Sequence, residues 1–168
     1  MAAEKPRFGW GHINVNVANL EQSIAFYKKL GFELFIPAIP YLALDASPDQ
    51  KPLPDDAASA LGIKQGTKGR ACIMQLDDGF PKLDLTELSG VDQGAPLTNS
   101  DRGLVRICLA TEDLERDVKR LKADGVEFLS EPKSGHAELA DIAVCKDPDG
   151  TLIELLQVYL DRWQALLS

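Results

Sequence analysis

Four short stretches carry side chains able to do chemistry: GHINVNV (11–17), KLDLTE (82–87), RICLA (106–110) and LIELLQ (152–157). The first three alternate between two faces and the fourth is apolar around Glu154, which reads as four strands, each with a packed face. The other faces hold His12, Asn14 and Asn16; Asp84 and Thr86; Arg106 and Cys108; and Glu154. An imidazole changes charge near neutral pH and can take and return a proton. Glu154 stands in a strand otherwise apolar, and a buried carboxylate needs a partner, which points to a site role. Arg106 offers no lone pair to a metal but can pair with carboxylates in a bidentate way. Asn14, Asn16, Thr86 and Cys108 can bind substrate oxygens or simply fill a polar interior. No base stands beside Cys108 in sequence, so it is not read as a nucleophile. His136, in a glycine-containing loop, is read as a surface histidine.

The elements that position these residues occur twice. NLEQSIAFYKKLG (19–31) has an N-cap at Asn19, an apolar face at Leu20, Ile24 and Tyr27, and a stop at Gly31. DLERDVKRLKADG (113–125) has the same plan, with Asp113, the face Leu114, Val118 and Leu121, and Gly125. Leu20 and Leu114 are 94 residues apart (114 − 20), and so are Gly31 and Gly125 (125 − 31). A strand follows each helix, FELFI in the first copy and VEFL in the second. Two strands around a turn then complete each copy, CIMQLDDGFPKLDLTE (72–87) lying over IAVCKDPDGTLIELLQ (142–157) at an offset of 70 (147 − 77). The change of offset predicts 24 extra residues (94 − 70) in the first copy, within 36–70. Five of the ten prolines lie there, which reads as a loop and a short helix, either a lid or a plain surface excursion.

The reading is therefore α+β: two βαβββ modules forming curled mixed sheets around a shared cleft. The first module spans 8–90 with its Pro-rich insertion, the linker 91–103 and the second module 104–158. The tail 159–168, with Leu160, Trp163, Leu166 and Leu167, reads as an amphipathic helix. A net charge of −8 without a basic run argues against nucleic acid or anionic membrane as partners. No apolar window spans a bilayer and no signal peptide is read in MAAEKPRFGW. Three cysteines without a CxxC spacing suit a reducing compartment, so a cytoplasmic protein is expected.

The duplicated plan, with HINVNVANLEQSIAFYKKLGFEL at the front and KDPDGTLIELLQ near the end, resembles the vicinal oxygen chelate superfamily, which includes glyoxalase I, bleomycin-resistance proteins and extradiol dioxygenases. The resemblance covers roughly residues 8–158. It implies ligand positions on the first and last strand of each module, which fall here on His12, Asp84, Arg106 and Glu154. It implies either no cofactor or one divalent metal (Fe, Mn, Ni, Co or Zn) on His12, Asp84 and Glu154, with Arg106 in place of the fourth ligand. It also implies a small-molecule substrate, a homodimer, and lyase or isomerase chemistry. In that chemistry Glu154 is the proton carrier, helped by His12, and Arg106 stabilises an oxyanion. Dioxygenase chemistry fits less well, since these positions offer one histidine. The other reading is a metal-free small-molecule-binding protein of the bleomycin-resistance kind.

Overall fold

The computed structural model describes residues 8–167, with side chains as far as residue 164. By contacts the chain divides into two units, one of residues 8–24 and 31–92, the other of 25–30 and 93–167.

The first unit is built from β1 (His12–Asn16), the first half of α1 (Leu20–Lys29), β2 (Glu33–Ile36), β3 (Ala38–Ile39), β4 (Leu44–Asp45), β5 (Lys51–Pro52), α2 (Asp55–Leu61), β6 (Lys68–Gln75) and β7 (Lys82–Ser89). Its main sheet runs β1-β7-β6-β2, with β5 also on β6. β1 and β7 are parallel, while β6 is antiparallel to both its neighbours. Asn19 caps α1 by accepting from the Gln22 backbone N–H at 2.9 Å. Val15, Leu83, Leu85, Cys72 and Met74 are buried. Asp84 and Thr86 alternate with the two leucines and point to the other face.

That other face is covered by the insertion. Ile39, Leu42, Leu44, Leu53 and Ala58 form a core with Ala71 of β6, and Ile73 and Leu88 pack against it. Ala71 lies opposite Thr86, and Ile73 opposite Asp84, so this core sits on the polar face of the sheet. The predicted loop is thus a packed layer, with β3 paired to β4 and a 3-10 turn at Pro40–Leu42 between them. Its buried residues Ile39, Leu42 and Leu44 follow no regular period, so the layer did not show among the prolines. The helix within it, α2, matches the short helix read from AASALGI, starting at Asp55.

The second unit contains β8 (Arg106–Ala110), α3 (Leu114–Ala123), β9 (Lys133–Ser134), β10 (Ala140–Lys146), β11 (Leu152–Val158) and α4 (Leu160–Leu167). Its sheet runs β8-β11-β10-β9. Asp113 caps α3 from the Arg116 N–H at 3.0 Å, and Leu114, Val118 and Leu121 are buried as the periodicity requires. The strand expected at VEFL is reduced to one bridge, Phe128 with Cys145, flanked by hydrogen bonds from Lys146 N to Glu127 O and from Leu129 N to Val144 O. Pairing lapses before Pro132, which has no N–H to give. It resumes at Lys133–Ser134. In α4 the Trp163 indole N–H donates to the Leu139 carbonyl at 2.9 Å. The side chains of Leu166 and Leu167, placed on its apolar face from sequence, lie outside the described residues.

The registers refine the internal repeat. Ile13 pairs with Leu83, and Ile107 with Ile153, which keeps the offsets of 94 and 70 for the first and last strands. The third strand is different. Leu85 faces Cys72 whereas Leu155 faces Ala143, so this strand is offset by 71 (143 − 72). Burial agrees, since Cys72 and Met74 are matched by Ala143 and Cys145. The gapless superposition of 72–87 on 142–157 is therefore off by one in its front half. The insertion holds 23 extra residues (94 − 71) and the first hairpin turn one more. A turn of either length contains the same Asp and Gly signals, so the slip was hidden in sequence.

Candidate functional site

In the first unit, β1 and β7 bring His12 and Asp84 together. The register sets Asn14 opposite Asp84, so His12 meets it on the diagonal, with Nε2 3.6 Å from Asp84 Oδ2. Asp84 is 1% exposed. Its Oδ2 also accepts from the Tyr41 hydroxyl at 3.3 Å, whereas Oδ1 has no hydrogen-bond partner among the described residues. Burial pushes the Asp84 carboxyl above the ordinary carboxylate range; His12 and the Tyr41 hydroxyl pull in the other direction without cancelling it. Burial and then the Asp84 charge raise the Tyr41 phenol. The imidazole itself stays open to solvent, its side chain 45% exposed. It lies beside the Tyr41 ring, centroids 6.4 Å apart and planes inclined by 27°.

The other candidates on this sheet bond to one another. Thr86 donates its hydroxyl to Asn14 Oδ1 at 2.7 Å, and Asn14 donates its amide to Asn16 Oδ1 at 3.1 Å. Next to His12 in register stands Lys82, whose ammonium donates to Gln75 Oε1 and the Asp77 carbonyl and lies over the rings of Phe35 and Phe80.

In the second unit, β8 and β11 bring Arg106 and Glu154 together on the equivalent diagonal, Cys108 lying opposite Glu154. Arg106 donates from Nε to Glu154 Oε2 and from Nη1 to Asn99 Oδ1, the latter at 3.1 Å. Cys108 is exposed; partial burial, and then the Glu154 charge, raise its thiol, which keeps it from acting as a thiolate. His136 lies exposed on a 3-10 turn, as its loop context suggests.

The resemblance implies metal ligands at His12, Asp84 and Glu154, of which the first two lie in the first unit and Glu154 in the second. Arg106 occupies the fourth position with a positive charge and no lone pair, and its guanidinium engages the Glu154 carboxylate. Among the described residues no group of three or more His, Cys, Asp or Glu side chains is placed to hold a metal. Tyr41 is the residue that sequence reasoning missed. It comes from the insertion, outside the duplicated plan, and no repeat offset leads to it.

Comparison with known proteins follows the same outline. Residues 9–155 match the family described as Glyoxalase/Bleomycin resistance protein/Dioxygenase superfamily. No curated protein matches the chain in sequence. Among solved structures, a glyoxalase family protein from Bacillus cereus aligns with a TM-score of 0.71 at 18% identity, over 94% of this chain and 98% of that one. The trypanothione-dependent glyoxalase I of Leishmania major aligns at 0.57 and 23% identity, over 93% and 91%. Glyoxalase I from Zea mays aligns at 0.59 and 21%, over 87% of this chain and 43% of that one. At such identities the likeness is one of fold. Among the described residues no helix is long and apolar enough to cross a membrane.

Proposed function

We propose, from the premise that this chain belongs to the Glyoxalase/Bleomycin resistance protein/Dioxygenase superfamily, that it is an enzyme moving a proton on a small oxygenated organic molecule, a lyase or isomerase, with His12 and Asp84 as its acid–base pair. The observation carrying this reading is the buried Asp84 carboxylate set beside a solvent-open imidazole, Nε2 to Oδ2 at 3.6 Å. A carboxylate in that position holds the imidazole's orientation and stabilises the imidazolium that forms when the ring accepts a proton. The ring nitrogen turned away from Asp84 takes the proton from a carbon next to a carbonyl. The C–H electron pair remains on the substrate as an enolate, and the imidazolium returns the proton to a neighbouring atom. Nothing is oxidised or reduced. Glu154, the proton carrier that the resemblance implies, has its carboxylate engaged by Arg106, and we assign the proton-moving role to His12 on that ground.

The reading is tested by proton NMR in D2O, following C–H signals of hydroxyacetone, dihydroxyacetone, glyceraldehyde and lactaldehyde. The wild type should catalyse exchange on at least one of them, and His12→Ala should slow it about 100-fold or more. Exchange by His12→Ala at the wild-type rate contradicts the assignment. Saturable binding without any exchange favours the second reading, a metal-free binding protein, which draws its support from the Arg106–Glu154 ion pair at the ligand positions.

A further inference from the structure

Tyr41 stands in a run that alternates between packed and exposed residues, with Pro40 and Ala43 exposed. Ile39, Leu42 and Leu44 are buried in the insertion's core, while Tyr41 is 60% exposed. Ala43, just after it, has φ +52°, a left-handed backbone that a residue with a Cβ adopts at a cost of about 1–2 kcal/mol. The turn is held in this shape by the buried residues around it and by the Ala43 N–H donating to the Pro40 carbonyl at 3.0 Å. The result is a phenol fixed from its backbone side and aimed at Asp84.

The Asp84 carboxylate is thereby used asymmetrically. Oδ2 accepts from Tyr41 and faces His12, and Oδ1 is buried with no donor among the described residues. A buried acceptor without a partner costs about 1–3 kcal/mol, and a group that supplies the missing donor recovers it. The protein donors near this carboxyl are already placed: the Tyr41 hydroxyl on Oδ2, the His12 imidazole on the same side, and the Thr86 hydroxyl on Asn14. Of the two side chains beside Asp84, Tyr41 stays on Oδ2, and His12, 45% exposed, is the one that yields to a small molecule approaching the carboxyl.

We propose that Tyr41 and Asp84 together form a hydroxyl-recognition point: Tyr41 occupies Oδ2, Oδ1 is left as the sole open acceptor, and the ligand is a small molecule that donates an O–H there. The inference rests on the location given by the acid–base reading and deepens it, naming the substrate class as hydroxylated carbonyl compounds. Asp84 then addresses the substrate directly from a position where the family pattern implies a metal ligand. Tyr41 is a positioning residue, and the insertion that carries it takes part in choosing the ligand. An acceptor built to receive a hydroxyl discriminates strongly against the analogue that has none, because the buried oxygen is then left unpaired.

The test compares hydroxyacetone with methoxyacetone, in which a methyl group replaces the hydrogen on oxygen and removes the donor. Binding is followed by heteronuclear NMR at the backbone amides of residues 12–16 and 82–88. Hydroxyacetone should bind the wild type at least about 10-fold more tightly. In Tyr41→Phe the ring remains but the hydroxyl is gone, both Asp84 oxygens compete for the ligand or for water, and the ratio should narrow about fivefold. Asp84→Ala should bring the two affinities together. Equal affinities in the wild type, no saturable binding of hydroxyacetone, or an unchanged ratio in a folded Tyr41→Phe would each overturn the proposal. Binding is read here and not turnover, so the two ideas fail separately. Exchange without discrimination removes the hydroxyl point and keeps the acid–base pair; discrimination without exchange does the converse.

Discussion

His12 and Asp84 in the first unit stand at the positions that Arg106 and Glu154 hold in the second. The strand pairs have the same register and the same diagonal. Exposure is similar as well, 45% for the His12 side chain and 40% for Arg106. The electrostatics are not. Arg106 and Glu154 complete each other as a close ion pair. Asp84 faces an imidazole where Glu154 faces a permanent cation, and one of its oxygens is left unmatched. The insertion is the reason the difference persists. It covers the polar face of β7, which is buried from Lys82 to Glu87, whereas Glu154 on β11 is only half-buried. One backbone plan thus supports a self-satisfied pair in one copy and an unsatisfied, chemically available carboxylate in the other.

The helix starts show the same divergence. The Leu20 N–H donates to Glu87 Oε2 and the Leu114 N–H to Gln157 Oε1, each at 2.8 Å, at equivalent positions. The first copy uses a carboxylate and must neutralise it. Arg70 does so, donating to Glu87 at 2.6 Å and in bidentate fashion to Glu21. Burial raises the Glu87 carboxyl, but Arg70, the Leu20 N–H and Gln50 together hold it below its ordinary value. The second copy uses a neutral carboxamide and has Asp141 where Arg70 stands in the first.

The largest effect we expect follows from this contrast. Arg70→Met strands the buried Glu87 and should cost about 3–5 kcal/mol in urea unfolding. Adding Glu87→Gln, which copies the second unit's solution, should recover most of it. A double variant no more stable than the single one would show that the two starts are not interchangeable. Next comes the pair of hairpin turns. Gly150 has φ +91° and a Cβ built there would lie 2.7 Å from Pro96 Cγ, while Gly79 has no left-handed backbone and meets only the Asp77 side chain at 3.0 Å. Gly150→Ala should therefore lower stability by about 1–2 kcal/mol or more, and Gly79→Ala by clearly less. Equal losses would count against the strained turn.

The smallest expected effect is a slope with pH. The folded Asp84 carboxyl is raised above 3.8, chiefly by burial. Between that value and its folded one the native state holds a proton that the unfolded state has released, so stability falls as pH rises through this window. His12, Tyr41 and Cys72 are the titrating neighbours. Asp84→Asn should remove this slope, gaining relative to the wild type as pH rises above 3.8. Glu154→Gln should gain nothing, since its carboxylate loses an ion pair. Parallel curves for Asp84→Asn and the wild type would contradict the raised carboxyl.

Much of this was legible in the chain. Alternation put Asp84 and Thr86 opposite Leu83 and Leu85, and repeat offsets aligned His12 with Arg106 and Asp84 with Glu154. Helix caps at Asn19 and Asp113 followed from local chemistry. What escaped depended on distance in space. Tyr41 reaches Asp84 from 43 residues away, through a layer whose apolar residues are spaced by a 3-10 turn and two-residue strands too short to show a period. The one-residue slip in the third strand lay inside a turn, where length carries no pattern.

The reading that His12 and Asp84 work directly on the ligand, with Glu154 committed to Arg106, excludes a tightly held divalent ion on these residues. It is tested most directly by calorimetric titration with Mn2+, Ni2+ and Zn2+ of protein purified without a metal-chelating column and stripped with chelator. No stoichiometric binding tighter than about 10 μM is expected, since Glu154 is engaged by the Arg106 guanidinium, which has no lone pair to give. One ion bound per chain at sub-micromolar affinity, and lost in both His12→Ala and Glu154→Gln, would contradict it.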